Sequence, residues 1–141
     1  MNREELLGEE EIAWKAFTAA LDRVPPARRA QEGVVPGWSA HDMIWHCGYW
    51  AGYVAGQLDG PGDTDDHDDA YWDALNTRVV EEARAMSWDE SLARSERERA
   101  RAREALRDAT DPSADLLQEF EDETFVHYRE HTAEIEAFVA G

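Results

Sequence analysis

The hydrophobic residues of this chain recur every three or four positions over several long segments, which is the period of amphipathic α-helices. Helices are predicted over about residues 3–23, 39–58, 67–86, 87–108 and from 111 nearly to the end. No alternating pattern of useful length predicts a β-strand. The chain is therefore predicted to be all-α, an antiparallel bundle with at least one long crossover. Residues 1–141 are predicted to form a single domain.

Capping residues mark where three of these helices begin. Ser39 is a typical N-cap, and Asp42 stands at the position of its capping-box partner. Ser87 begins the fourth helix in the same way. For the last helix we predict Asp111 as the cap and Pro112 as the first helical residue.

The composition is that of a globular and strongly acidic protein. Hydrophobic residues make up 43 % of the 141 residues, and the formal net charge is −18. Such a surface repels phosphate groups, so nucleic acids and anionic membranes are poor partners. One arginine-dense run, ARSERERARAREALR at residues 93–107, carries glutamates of its own. We interpret it as a solvated helix face with ion pairs rather than as an anion-binding patch.

Cysteine usage and the lack of long apolar runs favour a cytoplasmic protein. Cys47 is the single cysteine, so an internal disulfide is excluded and a reducing compartment is favoured. Beside His46 on the second helix, it is predicted to be a small buried residue. The N-terminal segment lacks the apolar core of a signal peptide, and no run reaches the about 18 apolar residues that span a membrane. The arginines far outnumber the single Lys15, which indicates a GC-rich genome.

Three histidines lie on the apolar faces of two predicted helices. His127 and His131 are four residues apart, so they lie one above the other on the same face of the last helix. That face is otherwise built from Leu117, Phe120, Thr124, Tyr128, Ile135 and Phe138. His46 shares the inward face of the second helix with Met43, Trp50, Tyr53 and Val54. Buried imidazoles need partners, and two facing helices can bring the three rings together as an open metal site.

The sequence leaves other interpretations of these histidines open. A histidine on an apolar face is commonly a core residue whose nitrogens are satisfied by neighbours. The run HYREH also matches the H-x-x-E-H pattern of inverted zinc proteases. However, ten residues follow His131, and Glu130 is expected to point about 100° away from the histidine face. Glu130 and Glu134 are therefore placed on the polar face, and His41 and His67 do not fit the site.

Two stretches of the chain resemble the DinB/YfiT-like superfamily. GWSAHDMIWHCGYWAGY, at residues 37–53, resembles the helix of that family that carries one metal histidine. FEDETFVHYREHTAEIEAF, at residues 120–138, resembles its last helix, with an H-x-x-x-H pair. The resemblance implies a four-helix bundle with a long crossover and one additional helix, often dimeric. It also implies a divalent metal, with zinc and nickel as the first candidates, bound by His46, His127 and His131.

Characterised relatives in that superfamily suggest what such a site does. They include transferases and isomerases that use mycothiol or bacillithiol, and a hydrolase that opens a reactive cyclopropane for self-protection. Three neutral imidazoles leave the charge of a bound ion uncompensated, so the ion can hold a thiol as thiolate or acidify water.

Three functions are therefore hypotheses. The first is a metal-dependent enzyme in which a low-molecular-weight thiol attacks an electrophilic small molecule, and the GC-rich composition favours mycothiol. The second is a hydrolase, such as a self-resistance protein, with water as the nucleophile. The third is a non-catalytic module that binds a small molecule.

Four residues are candidates for a pocket that holds a small-molecule substrate: Tyr49, Trp50, Asn76 and Tyr128. Aromatic residues at helical spacing are commonly core residues, so this assignment competes with simple packing. Asn76 interrupts an otherwise apolar face of the third helix, where it can orient a ligand or satisfy a helix contact.

Overall fold

The computed structural model describes residues 1–63 and 65–141, and within them the chain folds into helices joined by loops. The helices are α1 (Arg3–Asp22), α2 (Ala40–Asp59), α3 (Asp69–Arg84), α4 (Trp88–Asp108), α5 (Ala114–Glu121) and α6 (His127–Ala140). A 3₁₀ turn (Pro26–Arg28) lies between α1 and α2, and a π-helical segment (Asp122–Val126) joins α5 directly to α6. The described residues contain no β-strand. The prediction of an all-α fold is confirmed.

Helices α1, α2, α4 and the joined α5–α6 form a bundle, and α3 is the additional helix that packs against α2. The long connection from α1 to α2 covers residues 23–39. Helix α2 also packs along α4, and α1 packs along α6. The main core includes Trp14, Phe17, Met43, Leu106, Phe120 and Ile135. A smaller cluster between α2 and α3 contains Trp45, Trp50, Leu75, Val79 and Ala83.

Most helix boundaries lie close to their predicted positions because the caps are local. Ser39 and Asp42 form a complete capping box, with Ser39 accepting from the Asp42 amide and Asp42 accepting from the Ser39 amide. Ser87 accepts from the amide of Glu90. The predicted cap at Asp111 is wrong, because Asp111 adopts a φ of 49°, outside the helical region. Ser113 is the cap of α5 instead, and its hydroxyl accepts from the amide of Leu116 at 3.1 Å.

The last helix is interrupted, contrary to the prediction of one continuous α-helix. In the π-helical segment Asp122–Val126 each turn holds about one more residue than an α-helical turn. As a result the adjacent residues Thr124 and Phe125 are both buried, and the Thr124 hydroxyl donates to the carbonyl of Phe120 at 2.7 Å. The segment lies directly before His127 and therefore sets the rotation at which α6 begins.

The arginine-dense face of α4 is only partly solvated, which corrects the interpretation of that run. Arg101 does form an exposed ion pair with Glu98, at 2.6 Å. Arg99, in contrast, is 9 % exposed and donates to both carboxylate oxygens of the fully buried Glu10, at 2.6 and 2.9 Å. Burial by itself would lower the pKa of Arg99, but the hydrogen bonds and charges of Glu10 and Glu11 outweigh it and raise that pKa.

Cys47 is fully buried in the main core, as predicted for a small apolar residue. Burial raises the pKa of its thiol well above the ordinary value, and the nearby charges of Glu134, Glu130 and Glu123 act in the same direction. The thiol is therefore protonated at neutral pH. Among the described helices, none combines the length and the apolar character needed to cross a membrane.

Candidate metal centre

Helices α2 and α6 bring the three predicted histidines into one cluster. The Nε2 atom of His127 lies 3.0 Å from Nε2 of His46 and 2.9 Å from Nε2 of His131. His46 is 6 % exposed and His131 is 8 % exposed, so the rings are held largely away from water. The three Nε2 atoms thus meet at one point between two helices that are far apart in the sequence.

The donor set fits a divalent metal ion. Burial lowers the pKa of His46 well below its ordinary value and that of His127 to about 3, and the neighbouring imidazoles act in the same direction. These two rings are therefore neutral at pH 7, the form that binds metal. Two nitrogens that bind one ion at about 2.1 Å lie about 3.4 Å apart at the tetrahedral angle and about 3.0 Å apart at a right angle, so the observed separations of 2.9 and 3.0 Å are close to the distances that one ion requires.

Contacts among the three rings do not satisfy all of their nitrogens. A neutral imidazole donates from one nitrogen and accepts at the other. The buried Nδ1 atoms of His46 and His127 have no hydrogen-bond partner among the described residues. The cluster is therefore not a set of satisfied core histidines, whereas a cation at the Nε2 atoms uses the convergence directly.

Glu134 contacts the ring nitrogen of His131 that faces away from the cluster. The carboxylate of Glu134 lies 3.0 Å from Nδ1 of His131, so Nδ1–H donates to it and the lone pair of Nε2 faces the cluster. Carboxylates in this position fix the orientation and tautomer of metal-binding histidines. The ring of Trp38 packs edge-on against His46, with 4.8 Å between ring centroids, and restricts its rotation.

The cluster lines an open cleft with a volume of about 580 Å³. The lining residues are Val35, Pro36, Trp38, His46, Trp50, Asn76, Asp122, Glu123, His127, Glu130, His131 and Glu134. Trp50 and Asn76 are two of the predicted pocket residues. The indole N–H of Trp50 donates to the side-chain oxygen of Asn76 at 3.2 Å, and the amide hydrogens of Asn76 have no acceptor among the described residues. The cleft is large enough for a small substrate beside the histidines.

The carboxyl group of Glu123, which lines the cleft, has a strongly raised pKa. Burial raises its pKa to about 7, and the negative charges of Glu119 and Asp122 contribute to the same shift. Glu123 lies on the cleft side of the helix, in the turn before His127. A carboxyl group with a pKa near 7 can accept or donate a proton at neutral pH.

Two of the predicted pocket residues do not line the cleft. Tyr128 is fully buried, packs against the rings of Trp14 and Phe17, and donates from its hydroxyl to Glu10 at 3.1 Å. It therefore belongs to the core. Tyr49 lines a separate surface hollow near Arg94. The helical period puts both residues close to the histidines. It does not specify the rotation of each helix precisely enough to decide which residues face the cleft.

The helical pattern of the sequence does not identify the cleft carboxylates. Glu130 and Glu134 were placed on the polar face of the last helix, yet both line the cleft and Glu134 contacts His131. The placement was wrong because an open cleft also collects long side chains that flank the histidine face. The spacing did contain a signal, since Glu123 precedes His127 by four residues and Glu134 follows His131 by three.

A second group of possible ligands lies in the loop between α2 and α3. Asp63, Asp65 and His67 approach one another, but Thr64 between them is outside the described residues. His67 Nε2 lies 2.8 Å from the Asp63 carboxylate, and Asp65 donates its amide to the same side chain. These contacts within an acidic loop account for the arrangement without an ion.

Fold and site together define a helical-bundle protein with a candidate three-histidine metal centre. The model of the DinB superfamily matches residues 10–138, so the chain belongs to the DinB superfamily. The fold is similar to the crystal structure of an uncharacterised protein from Escherichia coli UTI89, with a TM-score of 0.81 and 14 % sequence identity. The similarity covers 99 % of this chain and 93 % of that one. Among curated proteins, no sequence matches the chain.

Proposed function

We propose that this protein is a divalent-metal-dependent enzyme in which a small thiol or a water molecule attacks an electrophilic small molecule. The observation that carries the proposal is the convergence of three Nε2 atoms, 2.9 and 3.0 Å apart, inside a cleft of about 580 Å³. Membership of the DinB superfamily supports the same ligand set. His46, His127 and His131 would hold the ion.

The number of ligands favours catalysis over a purely structural site. Among the described residues, the three histidines are the metal-binding groups that meet at this point. A structural zinc site is commonly closed by four protein ligands, whereas a catalytic site uses three and leaves a position open. A divalent ion held by neutral imidazoles keeps its charge and lowers the pKa of a thiol or water bound to it.

The residues of the chain have separate roles in this proposal. Glu134 orients His131 through its Nδ1–H, and Trp38 restricts the ring of His46. Glu123, with its pKa near 7, accepts the proton of the nucleophile. Asn76 is held by Trp50 and offers its amide hydrogens to the substrate. Each group lines the cleft or directly supports a residue that does.

The chain has no thiol suited to act as the nucleophile. Cys47 is the only cysteine, and it is fully buried with a raised thiol pKa, so it is unsuited to attack a substrate. We propose a low-molecular-weight thiol of the mycothiol type as the first candidate. Water is the second candidate, because Glu123 is placed to act as a general base for hydrolysis.

The first experiment measures metal content in tag-free wild-type protein and in the His127→Ala variant. We expect about one divalent ion per chain in the wild type and a loss of that ion in the variant. His41→Ala is the matched control, because His41 Nε2 contacts the carbonyl of Ala83, away from the cluster. A wild-type protein that takes up no divalent ion after reconstitution would contradict the proposal and favour a metal-free binding module.

A second measurement separates the thiol from the water. In cobalt-substituted protein, a thiol that reaches the ion changes the visible absorption spectrum, because sulfur becomes a ligand. We expect this change in the wild type and its loss in His127→Ala. If cobalt is bound but no thiol alters the spectrum, the thiol mechanism is excluded and hydrolysis of electrophilic substrates is the activity to assay.

A further inference from the structure

The cleft around the histidines is lined by carboxylates without matching basic groups. Asp122, Glu123, Glu130 and Glu134 line it, and no lysine or arginine does so among the described lining residues. Glu134 is engaged by His131, and Asp122 accepts from Gln118 at 3.0 Å. Within the part of the chain that the structure describes, Glu123 and Glu130 take part in no ion pair. The negative charge of the four groups exceeds the charge of one divalent ion.

Elsewhere the fold pairs the carboxylates that it buries. Glu10 is bound by Arg99 at 2.6 Å and by Arg103 at 2.8 Å. The buried Asp42 is bound by Arg84 at 3.2 Å. These pairings follow from the cost of burying an unpaired charge. Glu123 departs from this pattern, since it is half-buried, its pKa is raised by that burial, and its neighbours Glu119 and Asp122 are acidic.

The buried histidines show that this acidic surface belongs to a ligand site. His46 is 6 % exposed and lines the cleft, and its Nε2 atom faces Nε2 of His127 at 3.0 Å. The indoles of Trp38 and Trp50 add aromatic surface to the same cleft. Aromatic faces and carboxylates are the two kinds of group that bind organic cations.

We infer that the cleft selects small molecules that carry a cationic group, an ammonium or a guanidinium, close to the reacting atom. This inference rests on the proposed function, because it names the substrate class of the same site. The cation pairs with the unpaired carboxylates Glu123 and Glu130, and its carbon chain lies against Trp50. Anionic thiols and anionic electrophiles are repelled by the same groups.

The test compares three ligands of one size: butylammonium, butanol and butyrate. Their binding to zinc-loaded protein is followed by NMR through the indole N–H of Trp50, which lines the cleft. We expect butylammonium to bind at least about ten-fold more tightly than butyrate, with butanol between them. The cleft carboxylates attract the ammonium group and repel the carboxylate of butyrate, and partial burial strengthens both effects. Added salt should narrow the difference. Equal affinities, or tighter binding of butyrate, would overturn the inference.

Three variants with the same change of charge locate the effect. Glu123→Gln and Glu130→Gln should each reduce the preference for butylammonium. Glu121→Gln is the matched control, because Glu121, the last residue of α5, lines a separate hollow with Met1 and Leu6. An unchanged preference in both cleft variants would overturn the inference. A large loss of zinc affinity with an unchanged preference for butylammonium would also overturn it. The carboxylates would then stabilise the bound zinc ion and not a cationic substrate.

Metal content measured in the same samples separates the two proposals. If zinc is bound and the ligands show no charge preference, the inference fails and the proposed function is untouched. If no zinc is bound but the preference for butylammonium persists, the proposed function fails. The cleft would then be a cation-binding site without a metal-dependent reaction.

Discussion

Glu134 illustrates how a residue on the polar side of a helix contributes to the candidate site. It follows His131 by three residues, and its carboxylate accepts from Nδ1 of that ring at 3.0 Å. This contact sets the tautomer that presents the lone pair of Nε2 to the cluster. His46 and His127 have no comparable partner at Nδ1 among the described residues. Glu134 is therefore in direct contact with one of the three histidines of the candidate metal centre.

We expect Glu134→Ala to weaken metal binding by about 10–100-fold, because His131 loses the group that orients it. Glu134→Gln should lose less, since the amide oxygen still accepts from Nδ1–H. Competition with a chromophoric chelator gives the affinities. Glu136→Ala, an exposed residue that pairs with Arg23, is the control on the same helix. Equal affinity in Glu134→Ala and Glu136→Ala would exclude a positioning role for Glu134.

Tyr128 shows the limit of a helical pattern for a single residue. It is adjacent to His127 in sequence and shares the apolar face predicted for the last helix. The structure turns it toward Trp14 and Phe17, away from the cleft, and its hydroxyl joins the buried pair of Glu10 and Arg99. A wide apolar face therefore contacts two different surroundings, the core and the cleft. The pattern alone does not assign a residue to one of them.

At the scale of elements, the position of α2 depends on close contact with α4. The Ser95 hydroxyl donates to the carbonyl of Ile44 at 3.0 Å. A Cβ atom added at Gly48 would lie 2.7 Å from the Ser95 Cα, so the helices meet where Gly48 has no side chain. His46 is two residues away on the same helix. The small residues of this contact therefore fix the distance at which α2 presents His46 to α6.

We expect Gly48→Ala to lower the free energy of unfolding by about 1–3 kcal/mol, because the added methyl group meets the backbone of α4. Gly56→Ala is a matched control on α2, since no atom lies within 4 Å of an added Cβ there. That change should stabilise the protein by about 0.5–1 kcal/mol through helix propensity. Urea unfolding measures both variants. Similar stability changes in the two would contradict the close contact of α2 and α4.

The π-helical segment Asp122–Val126 is the second element that shapes the cleft. It carries Glu123, which lines the cleft, and it ends where His127 begins α6. The residues in it have no composition that distinguishes them from an ordinary helix. The segment follows from tertiary packing, which buries both Thr124 and Phe125. π-Helical turns are frequent at functional sites, in agreement with its position here.

For the whole molecule, the buried ionisable groups link folding to pH. The pKa of His127 is about 3 in the folded protein against an ordinary value of 6.5, and burial also lowers that of His46. Below pH 6.5 the unfolded chain binds protons that the folded protein cannot accept. These two histidines therefore add stability above pH 6.5, which is lost as the pH falls from 6.5 toward 3. Glu123 has the opposite effect on stability. Its pKa is raised from 4.5 to about 7, so its contribution to the free energy of unfolding is lost as the pH rises through 7.

We expect metal-free wild-type protein to lose stability between pH 7.5 and pH 5 more steeply than the His127→Gln variant. Between these two pH values the wild type should lose about 1–2 kcal/mol more of its free energy of unfolding than the variant, which is the effect of one buried neutral histidine. Urea unfolding at several pH values measures it, and subtraction removes the effect of the −18 net charge, which both proteins share. Parallel pH profiles would show that His127 is readily protonated in the folded state.

The sequence by itself determined the helices, most of their caps and the faces on which His46, His127 and His131 lie. Helical periodicity and capping depend on residues three or four positions apart, so they can be read locally. Only the tertiary structure decided the turn at Asp122–Val126, the cleft carboxylates and the separation of Tyr128 from the cleft. His46 and His127 are 81 residues apart in the chain. Which helix faces meet, and at what rotation, is set by the packing of all side chains together, and no local pattern contains that information.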